Sequence, residues 1–190
     1  MAKKDILVAS PATGTGGILA GPLGSTAPTD STTELDAALV PHGYVGEDGL
    51  SMTTERSTEK IRAWGGDAVR TVQTEHDVTF GFTLLETNEA TAKAVFGDDN
   101  VTVTPAGPTA GTKLDITITS DALPEKLWVF DMKDGDKRRR LVLPNAQITA
   151  TEDITYVHSD IIRYGVTITA YADEDGNCAY EYIDATPAGS

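Results

Sequence analysis

The residue types that carry chemistry are sparse in this chain and poorly spaced for it. The three histidines, His42, His76 and His158, lie in unrelated segments. None has a partner at the helical i, i+4 spacing that a metal site on one helix face needs, so single surface or turn histidines are the expectation. Two acidic turns come nearest to a ligand set: Asp131, Asp134 and Asp136 around Asp134-Gly135, and the run Asp173-Glu174-Asp175-Gly176-Asn177. Neither has the alternating ligand spacing and closing glutamate of a calcium loop, and Asp-Gly is what a tight hairpin requires for its own backbone. The single cysteine, Cys178, allows no internal disulfide and reads as a buried, inert thiol. The glycines from Gly14 to Gly24 are not followed by a helix opening with Lys-Ser/Thr, and no nucleophile elbow occurs. The expectation is no catalytic, no cofactor-binding and no metal-binding residue; the protein is not read as an enzyme.

One basic run stands out, Lys137-Arg138-Arg139-Arg140. It fits a phosphate contact, the exposed rung of a hairpin facing Asp131, Asp134 and Asp136, or a docking patch for the acidic surface of another copy. Side chains alternate faces along a strand, so the arginines cannot all line one groove. A formal net charge of −14 over 190 residues argues against nucleic-acid affinity, which rests on a lysine and arginine surplus. It therefore favours the copy-to-copy reading. No apolar run reaches the length of a membrane span. The N-terminus has too short a hydrophobic stretch for a signal peptide, so folding in a reducing cytoplasm is expected.

The elements that must position these residues are mostly strands. The length suits one domain, 1–190, with a core of its own. A short strand is expected at Asp5 to Ala9. From Ser10 to Val40 the chain is rich in Gly, Pro, Ser and Thr, and 10–43 reads as a long N-terminal arm or loop. Because Ile18, Leu19, Leu23, Leu35 and Leu39 recur through it, an arm that orders on a neighbour is preferred over a solvated linker. Tyr44-Val45 starts a strand, and Gly46-Glu47-Asp48-Gly49 reads as a turn. Residues 50–77 read as an extended hairpin arm reversing at Gly65-Gly66, with few apolar residues on either limb. Such a ribbon is marginal by itself, and its open edges invite another chain.

Val78 to Leu85 alternates most clearly, with Val78, Phe80, Phe82 and Leu84 on one face. A single helix over 88–96 follows, capped by Thr87 or Asn88 and stopped by Gly97. Strands are then expected at 101–104, 113–120 (Leu114, Ile116 and Ile118 inward), 126–131, 137–143, 146–151, 161–171 and 179–183, leaving 184–190 as a C-terminal tail. Many short strands with one helix predict a mainly β protein, an antiparallel sandwich or barrel with one short flanking α-helix and long arms. Trp128 belongs in the core. Trp64, at the tip of the ribbon, either folds onto its own sheet or anchors an interface. Candidates for contact between subunits are Leu19, Leu23 and Leu35 in the arm, Glu55, Arg56, Arg62, Trp64 and Arg70 in the hairpin, and Arg138 and Arg140 in the basic run.

The stretch GYVGEDGLSMTTERSTEKIRAWGGDAVRTVQTEHDVTFGFTLLETN, with the helix ending AVFG, resembles the major tail tube protein of long non-contractile-tailed, siphovirus-type phages, especially those of actinobacterial hosts. The similarity is sharpest from Tyr44 to Gly97 and rests on strand pattern alone from Lys113 to Ile183. It implies the tail tube fold and a structural virion protein of the tail, assembled in the host cytoplasm. It also implies hexameric rings stacked into a hollow tube, and DNA ejected through the lumen without specific binding. The implied partners are further copies of the chain, a tape-measure protein, a tail terminator and tail-tip proteins, with no membrane and no cofactor. Glu55 to Thr74 would be the arm between subunits or rings, and Ser10 to Val40 an inter-ring arm. An acidic lumen would keep DNA from sticking to the wall. Longer relatives carry an immunoglobulin-like surface domain that is not expected after Ser190. Two other readings remain: the tube of a contractile injection apparatus, and a soluble β-sandwich module that binds carbohydrate or a cell surface.

Overall fold

The computed structural model describes residues 6–14 and 16–184. Among the described residues there are eleven strands: β1 (Ser10–Pro11), β2 (Ile18–Pro22), β3 (Val40–Pro41), β4 (Val45–Arg62), β5 (Ala68–Leu84), β6 (Val101–Thr104), β7 (Lys113–Ile116), β8 (Lys126–Asp134), β9 (Lys137–Thr151), β10 (Tyr164–Ala170) and β11 (Tyr180–Asp184). One α-helix, α1, spans Glu89–Phe96. The fold is mainly antiparallel β with one short helix, as the strand pattern predicts.

Nine strands form one sheet in the order β3-β2-β8-β9-β10-β5-β4, with β1 also on β8 and β11 also on β9. The alternation of β5 decides which way the sheet rolls. Val78, Phe80, Phe82 and Leu84 are buried while the intervening residues are half-buried. Phe82 and Phe80 sit opposite Val166 and Ile168 of β10. Across the interior they meet β8, with Phe82 5.8 Å from Trp128 and Phe80 5.8 Å from Phe130, ring centre to ring centre. Each such side chain taken out of water contributes about 1.5–3 kcal/mol. Together with Leu143, Ile148 and Val95 they make one continuous interior.

Helix α1 plugs that interior. The Asn88 carboxamide oxygen accepts the Thr91 amide at 2.9 Å, and Gly97 ends the helix at φ 99°, a backbone that a β-carbon disfavours. Ala92, Ala94 and Val95 face inward, and Phe96 meets Tyr164 edge-on.

Several expectations are corrected. The segment 10–43 is not a free arm: β1 and β2 pair with β8, and β3 pairs with β2. Its leucines other than Leu23 serve the chain's own sheet, because Leu39, Leu127, Val129 and Val142 form a second cluster on the sheet's outer face, with Leu19, Ala27 and Leu35 packed against it. Gly46 to Gly49 is a wide bulge within β4 rather than a turn, since the register moves from Val45 opposite Leu84 to Leu50 opposite Phe82. The strand expected over 113–120 ends at Ile116 and pairs only with β6, leaving Ile118 82 % exposed. Segments 137–143 and 146–151 are one strand, and Pro144 is accommodated by a register shift between β8 and β9. His42 is buried rather than superficial, against Trp128. The strand expected at Asp5–Ala9 is absent from residues 6–9, and Asp5 and residues 185–190 lie outside the described residues.

Candidate assembly surfaces

β4 and β5 run far past the sheet that they belong to. β10 covers β5 only from Val78 to Leu84. Beyond that, among the described residues, the two strands pair with each other alone, from Glu55 opposite Asp77 to Arg62 opposite Ala68. Every residue from 51 to 77 is exposed. The reversal closes through the Ala63 amide on the Asp67 carbonyl at 2.8 Å and the Gly66 amide on the Ala63 carbonyl at 2.8 Å, with Gly66 at φ 89°. Arg62 adds a 2.8 Å hydrogen bond from its guanidinium to the Gly66 carbonyl. The ribbon thus has a defined tip and a locally satisfied backbone turn, with no packing beneath it.

Its side chains suit a partner better than solvent. Trp64 is 106 % exposed, and Ile61, Val69 and Met52 are each at least half exposed. Glu55 stands directly opposite Asp77, a like-charge rung that costs stability in an isolated ribbon. Arg56, Lys60 and Arg70 form no ion pair among the described residues. Among the described residues, nothing pairs with the far edge of β4 or with the outer edge of β5 before Val78. Open edges of this length are a template for another chain.

The other sequence candidates fall into two groups. Leu23 and Arg138 are exposed and available. Leu19 and Leu35 are half-buried on the outer-face cluster. Arg140 is a correction to the reading of an outward-facing charge. It is only 2 % exposed, its Nε and Nη2 reaching the two Asp131 oxygens at 3.2 Å each, while Nη1 donates to the Asp30 and Thr33 carbonyls at 3.1 and 2.9 Å. The two-residue turn at Gly135-Asp136 sets this pairing, because Asp134 opposite Lys137 brings Asp131 opposite Arg140. The guanidinium therefore fastens the loop between β2 and β3 onto the sheet. Asp30 shapes that loop: its carboxylate accepts the Thr32 and Thr33 amides at 2.8 and 2.6 Å and the Thr33 hydroxyl. Those bonds, the Thr33 hydroxyl first, hold its pKa down at about 2.

The second acidic turn is equally structural. Asp173 accepts the Tyr180 hydroxyl at 2.7 Å and the Asn177 and Asp175 amides at 2.9 and 3.0 Å, and the tyrosine bond is the main cause of its lowered pKa. Arg139 pairs with Glu181 at 2.5 Å. Cys178 is half-buried beside the main core.

One surface escaped the sequence reading. Residues of β1–β2 and of β4 come from opposite sides of the strand order, yet they face each other across a groove of about 510 Å³. The sheet is rolled but not closed. Near its base Gly16 (φ 98°) touches Gly43 so closely that a β-carbon would lie 1.7 Å from the Gly43 carbonyl oxygen. Farther up, the seam opens over Phe130, Met132 and Leu141. No sequence periodicity marks a gap between strands that are distant in the chain.

No curated protein matches the chain. Among solved structures, one similar chain belongs to the anti-feeding prophage cap that terminates its tube, at 11% identity and TM-score 0.46, covering 95% of this chain and 96% of that one. Another belongs to the sheath–tube complex of an extracellular contractile injection system in its extended state, at 9% identity and TM-score 0.48, covering 97% and 99%. The family model described as phage tail tube protein matches residues 1–189. With that match spanning nearly the whole sequence, the chain belongs to the phage tail tube protein family, whose members are structural and non-enzymatic.

Proposed function

We propose that this protein is the major tail tube subunit of a long non-contractile phage tail. Copies close into hexameric rings, and rings stack into a hollow tube through which DNA passes into the host. The observation that carries the reading is the β4–β5 ribbon, exposed at every position from 51 to 77 and, among the described residues, open along both edges. In a monomer such a ribbon adds unpaired edges and exposed apolar surface with no core to support them. In a closed assembly each edge meets a neighbour.

The ribbon is the arm between subunits, with Glu55, Arg56, Arg62, Trp64 and Arg70 in contact with another copy. Leu23 and Arg138 join the contact surface, and Leu19 and Leu35 support it from beneath. The net charge of −14 suits a conduit for DNA, since an acidic wall repels the phosphate backbone and prevents stalling. Subunits assemble in the host cytoplasm around a tape-measure protein, between tail-tip proteins at one end and a terminator at the other.

Deletion of residues 55–74, with the limbs rejoined by a short turn, tests the arm. The expected product keeps its β circular dichroism and a cooperative melt but forms neither rings nor tubes in negative stain. A folded deletion variant that still makes tubes would remove the ribbon from assembly. Glycan binding by a stable monomer would instead favour the carbohydrate-module reading.

A further inference from the structure

We infer that the open seam of the rolled sheet is the receptor for the ribbon tip of a second copy, with Trp64 as the inserted side chain. The inference rests on the reading of the ribbon as the assembly arm and names what that arm grips.

The groove is apolar where it is deepest. Phe130, Met132 and Leu141 form its floor, and Leu50 and Met52 of β4 form one wall. Leu50 and Met52 lie opposite Phe82 and Phe80, so they point to the interior side of the sheet. Met52 is nevertheless 60 % exposed, because the seam leaves that side uncovered. The chain has three methionines, and the two other than Met1 both line this groove. Flexible, polarizable thioethers suit a site that must mould to an incoming ring, and sulfur–aromatic contacts favour an indole. About 510 Å³ accommodates an indole and an aliphatic neighbour such as Ile61.

The charges agree. Between residues 60 and 72 the tip carries Lys60, Arg62 and Arg70 against Asp67, a basic patch on a strongly acidic chain. The groove rim carries Glu47, with Asp48 beside it, and neither is in an ion pair among the described residues. Acidic rim and basic tip steer the encounter and fix its direction.

A copy cannot fill its own groove. Met52 and Trp64 are at the base and the tip of the same ribbon, about 40 Å apart at roughly 3.3 Å per residue. Tip and groove are different surfaces, so the contact is heterologous: each copy donates one tip and receives one, and the interaction propagates.

Benzoylphenylalanine at position 64 keeps an aromatic side chain and inserts into nearby C–H bonds, with a strong preference for methionine. Assemblies grown from a mixture of nitrogen-15-labelled and unlabelled copies, irradiated and digested, are expected to give label-mixed peptides joining position 64 to Met52 or Met132. The reverse probe at position 52 should reach residues 60–70 of another copy. Trp64→Ala, at a fully exposed site, should leave the melt unchanged and raise the concentration needed for assembly about tenfold or more.

Tubes whose cross-links from position 64 fall outside the groove would overturn the inference and leave the arm reading intact. So would tubes formed by Trp64→Ala at the wild-type concentration while the 55–74 deletion forms none. A probe at position 52 that captures the chain's own terminal residues would assign the groove to them. Failure of the wild-type chain to assemble under any condition would remove both readings together.

Discussion

Replacing Arg140 by methionine removes the fastener that joins the β2–β3 loop to the sheet. The Arg140 and Asp131 side chains are 3% and 11% exposed, so the carboxylate left behind has little access to water. Breaking a buried pair from one side costs about 3–5 kcal/mol. The slight exposure of Asp131 places the expected loss near the lower end, about 3 kcal/mol. The Asp30 and Thr33 carbonyls lose their donor as well, but both sit near the surface, where water replaces it. For a chain of this length each kcal/mol moves the melting temperature by about 2–4 °C, so a drop of about 6–12 °C is expected. Urea denaturation below the assembly concentration gives the free energy, and calorimetry the melting point. Asp131→Leu combined with Arg140→Met leaves no charge stranded and should recover at least half of the loss. A single variant costing under about 1 kcal/mol, or a double variant as unstable as the sum of the singles, would refute the reasoning that the pair acts as one buried unit.

Acid should weaken the fold through His42. Burial, and secondarily the nearby Lys126 charge, lowers its pKa from 6.5 to about 4. Between those values the unfolded chain binds the proton that the folded chain refuses, so stability is full above pH 6.5 and falls as pH drops towards 4, by about 3 kcal/mol in all. Urea titrations at pH 7 and 4.5 should show the fall, and His42→Phe should flatten it. Asn88→Ala removes the acceptor at the start of α1 and should cost about 1 kcal/mol in the same assay, with Asn88→Ser close to wild type.

The parts legible in the sequence are those set by local rules. The period of two in Val78 to Leu84 gave the buried end of β5. Asn88 and Gly97 bracketed the helix to within a residue. Asp134-Gly135 gave a hairpin whose register, counted outwards, already sets Asp131 against Arg140. The pairing was nonetheless hidden, because strand alternation gives a face and not what covers it: Arg140 lies under a loop more than a hundred residues away in the chain. The same limit applies to 10–43. Its Gly and Pro content signals loop, but the short pairings of β1, β2 and β3 depend on the edge that β8 presents. The seam between β1–β2 and β4 is a property of how the whole sheet rolls. The ribbon was visible for the opposite reason: its sequence lacks what a buried strand needs, and the structure leaves it uncovered.

Negative-stain electron microscopy of the purified chain at high concentration, with light scattering, tests the tube most directly. Hollow tubes of stacked six-fold rings are the expected result, lost on deletion of residues 55–74. A chain that stays monomeric at every concentration, even with tail-tip and tape-measure proteins present, would contradict it.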